Sequence, residues 1–163
     1  MKDNIAFLFP GQGSQYIGMG KDLYDNINEC KYILDKGDEI LQMPMKEMIF
    51  YGREEDLKRT RYSQIAILLT SLACAKAIEL RGISPKYTVG LSLGEYGALI
   101  ESGAINFEDG VKLIKKRAEI MDSEISPEKG TMAAILKLNS QKVEELIKRS
   151  NEFGLVEGAN YNC

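Results

Sequence analysis

The chain has 163 residues, of which 44% are hydrophobic and 28% are charged, a composition typical of a globular protein rather than a disordered one. Its 21 basic and 24 acidic residues give a formal net charge of -3, which is too balanced to favour nucleic acid or an anionic membrane as a partner. The uncharged stretch at residues 62–75 is too short to span a bilayer, and the N-terminus lacks the form of a signal peptide. We therefore expect a cytoplasmic protein.

The first half of the chain predicts one strand followed by helices. The strand is the apolar run from Ile5 to Phe9, which ends where Pro10 cannot extend a hydrogen-bonded ladder. A glycine-rich loop follows at residues 10–15. Helices are predicted over residues 22–41 with a break near Asn26 or Gly37, 46–51, 54–59 and 63–80. The last of these helices is apolar on nearly every face, so we expect it to be central and buried, with Ser63 as its N-cap.

The second half predicts a second strand over residues 87–91 and a helix over 95–102. A longer helix starts at Asn106, with Asp109 completing a weak capping box. Its apolar stripe consists of Phe107, Val111, Ile114, Ala118, Met121 and Ile125. After a linker at 126–130, the pattern predicts a strand over 132–138, a helix over 140–149 and a strand starting at 155–159. This order indicates an α/β protein in which a second, small subdomain begins after the linker.

Cysteine and histidine usage limits the chemistry. Cys30, Cys74 and Cys163 show neither a metal-binding spacing nor a disulfide framework, and Cys74 lies in an apolar helix where we expect it to be buried. The chain contains no histidine, so it has no imidazole to act as a general base or to bind a metal. A serine nucleophile that needs histidine must find it on another piece of polypeptide.

The segment from Gly90 to Gly94 fits the pattern Gly-x-Ser-x-Gly, between a predicted strand and a predicted helix. In such a turn the glycines let strand and helix approach closely, and the serine hydroxyl, here that of Ser92, is held near the helix N-terminus. The N–H of Leu93 would then point at a developing oxyanion. The pattern alone leaves two interpretations open, a nucleophile turn and an ordinary glycine-rich turn.

Arg117 shares a helical row with Leu113 and Ile120, so it borders the apolar stripe. One interpretation, which the pattern alone favours, is an arginine that packs its stem and extends its tip into solvent. The other is a guanidinium that binds a carboxylate in a cleft.

The loop at 10–15 lacks the glycine spacing of a phosphate-binding loop. Its backbone N–H groups could instead supply a second oxyanion donor. Gln64, near the start of the apolar helix, could line the same cleft or be solvated.

Six ordered segments match motifs of a known family: 6–15, 62–66, 90–96, 116–118 with Met121, 130–134 and 159–163. They resemble the malonyl-CoA:acyl carrier protein transacylases and the acyltransferase domains of fatty-acid and polyketide synthases, over essentially the whole chain. The resemblance implies an incomplete α/β-hydrolase-like large subdomain at 1–125. It also implies the beginning of a ferredoxin-like small subdomain at 126–163, so that the chain corresponds to an N-terminal portion.

The resemblance implies a role for each matching residue. Ser92 would carry the acyl group, and the backbone N–H groups of Gln12 and Leu93 would form the oxyanion hole. The reaction would move a malonyl group from coenzyme A to this serine and then to the phosphopantetheine thiol of acyl carrier protein. Both thioesters are substrates, and no bound cofactor or metal is implied.

Three further residues would shape the acyl pocket by the same resemblance. Arg117 would hold the free carboxylate of the malonyl group, Gln64 would support Arg117, and Met121 would help to enclose the acyl group.

The chain departs from the family pattern at Ile65, where proline is usual, and at Leu91, where histidine is usual. The family's catalytic histidine lies downstream of Cys163, so we expect this chain to be impaired alone and to pair with the missing C-terminal half. Two alternatives stay open: a serine hydrolase or thioesterase, which has no need of an arginine facing the pocket, and a non-catalytic fragment that only binds a partner.

Overall fold

In the computed structural model, which describes residues 4–124 and 130–161, helices predominate and two short strands lie side by side. The chain divides into two units, Met1–Ser126 and Pro127–Cys163. The first unit contains β1 (Ala6–Phe9), α1 (Lys21–Asn26), α2 (Asn28–Leu41), α3 (Met45–Tyr51), α4 (Glu54–Lys58), α5 (Thr60–Glu79), β2 (Tyr87–Gly90), α6 (Gly94–Glu101) and α7 (Phe107–Glu124), and the second contains α8 (Ser140–Ser150). Within the described ranges, no helix is long and apolar enough to cross a membrane.

The two strands pair in parallel, with Ala6 opposite Tyr87 and Phe9 opposite Gly90. Parallel strands need a long crossover, and the five helices α1 to α5 supply it. Both strands therefore end at the same edge, where the loop after β1 meets the turn after β2. The prediction of an α/β fold is confirmed at this level, as a helix-rich unit with a small parallel sheet.

Helix α5 forms the centre of the core and packs against α2 and α7. Its residues from Ser63 to Leu69 are all buried, as expected for a helix that is apolar on every face. The predicted N-cap is wrong, because α5 begins at Thr60 after Arg59. Ser63 lies one turn inside, where its hydroxyl donates to the Thr60 carbonyl at 3.4 Å. The first turn of α5, at residues 60–62, precedes the apolar run in the sequence, so the apolar pattern could not predict it.

The predicted break in the first long helix occurs at Ile27, next to Asn26, and the alternative at Gly37 is wrong. Gly37 lies inside α2 and faces α5, where a Cβ would come within 2.7 Å of the Leu69 side chain. The glycine is there because two helices cross closely, and it does not interrupt the helix.

The prediction that Cys74 is buried is wrong, since its side chain is exposed while Cys30 is buried. Cys74 lies in the wall of a cavity of about 710 Å³ that runs beside β1 and includes Phe7, Leu23 and Ile78. An all-round apolar helix predicts burial everywhere, but this face of α5 borders open space within the described residues.

One face of the sheet is apolar and exposed. Leu8 and Val89 are directly opposite each other, and 77% and 54% of their respective surfaces are exposed. Tyr87, two positions before Val89 in β2, and Leu91, the residue after the strand, are also exposed. Parallel sheets are usually covered on both faces, yet none of the described residues buries these side chains.

The second unit contains α8, as predicted, and its N-cap is Asn139, whose side chain accepts a hydrogen bond from the Lys142 N–H at 2.9 Å. The strands predicted at 132–138 and 155–159 are wrong, because neither segment forms a ladder. Alternating apolar residues favour a strand only where another strand supplies hydrogen bonds, and the described residues supply none here. Ile125 and most of the predicted linker lie outside the described residues.

Candidate active site

The turn between β2 and α6 holds Ser92 in an uncommon backbone conformation. Its φ is 53°, in the left-handed region that few non-glycine residues adopt and that is often found at functional sites. The turn is closed by the Gly94 N–H, which donates to the Leu91 carbonyl at 2.9 Å. The Ser92 side chain is exposed at the top of this turn.

The two glycines of the motif are required by close backbone contacts. A Cβ at Gly90 would overlap the backbone carbonyl group of Gly94, and a Cβ at Gly94 would overlap the carbonyl oxygen of Phe9. The start of α6 is therefore pressed against the ends of both strands. This is the strand-turn-helix geometry that presents a serine at the carboxyl edge of a parallel sheet.

Arg117, on α7, contacts the serine through its guanidinium group. Its Nη2 donates a hydrogen bond to Ser92 Oγ at 3.0 Å, and its Nη1 donates to Gln64 Oε1. The guanidinium carbon lies 5.6 Å from the centre of the Tyr96 ring. The arginine tip therefore points at the candidate nucleophile rather than simply extending into solvent.

Gln64 is fully buried on α5, although its position near the helix start also fitted a solvated side chain. Its amide oxygen accepts from Arg117, and its Nε2 lies 3.3 Å from Met121 Sδ. The amide is thus held between a charged donor and a soft sulfur. The structure brings together four of the predicted site residues in one continuous set of contacts: Ser92, Arg117, Gln64 and Met121.

The described partners of Arg117 are all neutral. Among the side chains that the structure describes, no carboxylate lies within salt-bridge distance of its guanidinium. The carboxylate of Asp122, on the same helix, faces Arg59 at 3.6 Å instead. A partly buried guanidinium without a carboxylate partner among the described side chains can bind an anionic group, and its planar N–H donors suit a carboxylate.

The remaining predicted residues lie in the two loops that meet at this edge. The side chain of Leu93 is buried, and its backbone N–H lies at the start of α6, where helix amides lack intrahelical acceptors. Gly11 abuts the Leu91 carbonyl, since a Cβ there would lie 3.1 Å from that oxygen. The Gln12 side chain donates to Thr60 Oγ1 at 3.3 Å, so the role predicted for Gln12 at Ser92 falls to its backbone N–H.

Tyr96 lies in the matched segment 90–96, but no role was predicted for it from the sequence. It lies in the first turn of α6, four positions after Ser92, and its half-buried ring packs against the core below Arg117. The available signal was its place in the motif, four positions after the serine. It was not decisive, because an aromatic residue at that spacing is more often only a core residue.

The two described thiols are poor competitors for acylation. Burial raises the pKa of Cys30, and desolvation by the cavity wall raises the pKa of Cys74 even though part of its surface is exposed. Less thiolate is then present at neutral pH. The cavity beside β1 has no contribution from Ser92 or Arg117, so this cavity and the candidate chemistry lie in different places.

Comparison with known proteins gives consistent matches. The acyl transferase domain family matches residues 6–158. The malonyl CoA-acyl carrier protein transacylase of Bacillus subtilis is 44% identical over 160 residues, which cover 98% of this chain and 50% of that protein. A protein of the same name from Staphylococcus aureus is 38% identical over 97% of this chain and 51% of its own length.

Solved structures agree with these matches. The malonyl CoA-acyl carrier protein transacylase of Clostridium perfringens superposes with a TM-score of 0.91 at 46% identity, covering 98% of this chain and 51% of that one. A malonyl-transacylase solved in complex with a type II PKS acyl-carrier protein superposes with a TM-score of 0.79 at 27% identity, covering 93% of this chain and 49% of that one. The chain spans about half the length of the relatives it matches.

Proposed function

Because the chain belongs to the acyl transferase domain family, we propose that the complete protein moves a malonyl group from coenzyme A to an acyl carrier protein in fatty-acid synthesis. The observation that carries this proposal is the contact between Arg117 and Ser92. A guanidinium with no carboxylate partner among the described residues lies 3.0 Å from the candidate nucleophile, so an acyl group on Ser92 can place a free carboxylate against it.

In the first half-reaction, Ser92 Oγ attacks the thioester carbonyl and its proton passes to a base. The carbonyl oxygen becomes an oxyanion, which the N–H groups of Leu93 and Gln12 would stabilise, since both loops lie at this edge of the sheet. The C–S bond then breaks, and the thiol of coenzyme A leaves with the proton. The product is a malonyl ester of the serine.

In the second half-reaction, the phosphopantetheine thiol of the carrier protein attacks this ester. The base removes the thiol proton and returns it to Ser92 Oγ as the C–O bond breaks. Both halves need the same base, and no histidine is present in this chain. We propose that the histidine comes from the polypeptide that corresponds to the C-terminal half of the relatives.

The acyl pocket would be formed by α5 and α7. Gln64 fixes one edge of the guanidinium, and Met121 borders the other side of the Gln64 amide, where a soft side chain can adapt to the acyl chain. The chemistry uses coenzyme A and phosphopantetheine thioesters as substrates and needs no bound metal or cofactor. A cytoplasmic location is part of the proposal, and the free thiols of Cys30 and Cys74 fit a reducing compartment.

The finer fold assignment also belongs to the proposal. The first unit would be an incomplete α/β-hydrolase-like subdomain, since it presents Ser92 on a strand-turn-helix elbow. The second unit would be the beginning of a ferredoxin-like subdomain.

The test is to incubate the complete protein with malonyl-CoA and map the adduct by peptide mass spectrometry. The adduct is expected on Ser92, and Ser92→Ala should abolish it. The matched control is Ser102→Ala, since the Ser102 hydroxyl is exposed and donates only to the Leu99 carbonyl of its own helix. An adduct on another residue would contradict the assignment. Free malonate as the main product, instead of malonyl carrier protein, would favour a hydrolase.

A further inference from the structure

Arg117 has three described partners that play different parts in the cycle. Ser92 Oγ is the reacting atom, so its hydrogen bond with Nη2 must change when the serine is acylated. Gln64 accepts from Nη1 and holds one edge of the guanidinium. The ring of Tyr96 lies against the guanidinium, 5.6 Å from its central carbon. Once the serine reacts, only the last two partners can keep the guanidinium in place.

An aromatic ring holds a guanidinium without using any of its hydrogen-bond donors. The attraction is between the positive charge and the electron-rich face of the ring. Arginine has five N–H donors, and those that Gln64 does not use stay free for a carboxylate. A second amide or a carboxylate in the place of Tyr96 would occupy the donors that the acyl group needs.

The position of Tyr96 is itself well fixed. Its backbone N–H donates to the Leu93 carbonyl at 3.2 Å in the first turn of α6, and its side chain packs against the core. Ser92 lies four residues earlier, in the turn that leads into α6, and its carbonyl accepts a hydrogen bond from the Glu95 N–H at 3.2 Å. The ring and the nucleophile are therefore carried by one rigid element, so the guanidinium is held at a constant position relative to the serine.

We propose that Tyr96 is a positioning residue that holds Arg117 for the carboxylate of the acyl group and so contributes to the preference for carboxylated substrates. This inference rests on the proposed function. The part of the side chain that holds Arg117 is the face of the ring, and not the phenol hydroxyl.

The experiment compares the complete wild-type protein with Tyr96→Phe and Tyr96→Leu, using malonyl-CoA and acetyl-CoA as alternative donors. Tyr96→Leu should lower kcat/KM for malonyl transfer by roughly 2- to 30-fold, with a higher KM, and should change acetyl transfer by less than about twofold. Tyr96→Phe keeps the ring and should behave like wild type. Tyr32→Leu, at an exposed tyrosine on α2, is the control for loss of a tyrosine alone.

A second readout does not depend on activity. In protein labelled with ¹⁵N-arginine, the Arg117 Nε–H resonance, assigned by its loss in Arg117→Lys, should carry a ring-current shift that disappears in Tyr96→Leu and persists in Tyr96→Phe. A resonance that does not move in Tyr96→Leu overturns the inference, as does an equal loss of malonyl and acetyl transfer. If wild type transfers no malonyl group but the resonance moves as expected, the contact stands and the proposed function fails.

Discussion

Replacing Arg117 by alanine removes two hydrogen bonds at once, those to Ser92 Oγ and Gln64 Oε1. A charge-assisted, bidentate contact with the malonyl carboxylate is worth about 1.5–3 kcal/mol, so kcat/KM for malonyl transfer should fall by roughly 10- to 150-fold. Acetyl transfer should be spared, since an acetyl group has no carboxylate to lose. Steady-state assays with both thioesters on the complete protein give the two values directly.

The same substitution should destabilise the fold. Gln64 is fully buried, and without Arg117 its amide oxygen has lost its hydrogen-bond donor. An unpaired buried oxygen lowers the free energy of unfolding by about 1–3 kcal/mol. Adding Gln64→Leu to the alanine variant should recover part of that loss, because no buried oxygen is then left unpaired. Lys116→Ala, at the exposed neighbouring position of α7, should change neither activity nor stability. An equal fall in malonyl and acetyl transfer would refute the carboxylate role and make Arg117 structural.

Three further predictions follow from the described geometry. Gly94→Ala should destabilise the protein by about 3 kcal/mol or more in denaturant unfolding, because the new methyl group overlaps the Phe9 carbonyl, whereas Gly154→Ala meets open space and should be neutral. Burial, and then the nearby Glu79 carboxylate, raise the pKa of Glu101, so the folded state loses stability as pH rises above the unfolded carboxyl value of about 4.3. Glu101→Gln should therefore stabilise the protein at pH 7 and lose this advantage below about pH 4 in pH-dependent unfolding. The 163-residue chain alone should transfer malonyl groups several powers of ten more slowly than the complete protein, and adding the C-terminal half should restore the rate; full activity of the chain alone would contradict the need for a histidine.

Local patterns predicted the parts of the site that are local in sequence. The strand, turn and helix around Ser92 follow from two glycines and an apolar run. In the structure both glycines lie where a Cβ would overlap backbone atoms, as the pattern predicts. The capping of α7 was also predictable, and the Asp109 N–H donates to Asn106 Oδ1 at 2.8 Å. Each of these features depends on residues a few positions apart, where backbone geometry decides the outcome.

Features that depend on tertiary packing were not predictable in the same way. Periodicity left the direction of the Arg117 side chain open, because a row next to the apolar stripe can face either the core or solvent. In the structure its apolar neighbours Leu113 and Ile120 are exposed. The contact between Arg117 and Ser92 joins residues 25 positions apart, and the packing of α7 against α5 and α6 brings them together. Cys74 was misplaced for the same reason, since its exposure depends on what covers one face of α5.

The bare face of the sheet has a consequence during protein synthesis. Ribosomes add about 5–20 residues per second, so a relative twice this length leaves its N-terminal half outside the ribosome for about 10–30 s before the rest is made. For that time Leu8 and Val89 would present apolar surface to solvent, beside strands whose outer edges have no partner among the described residues. Such a nascent chain is a natural client for chaperones that bind apolar segments, and its yield should depend on the rate of translation as well as on final stability.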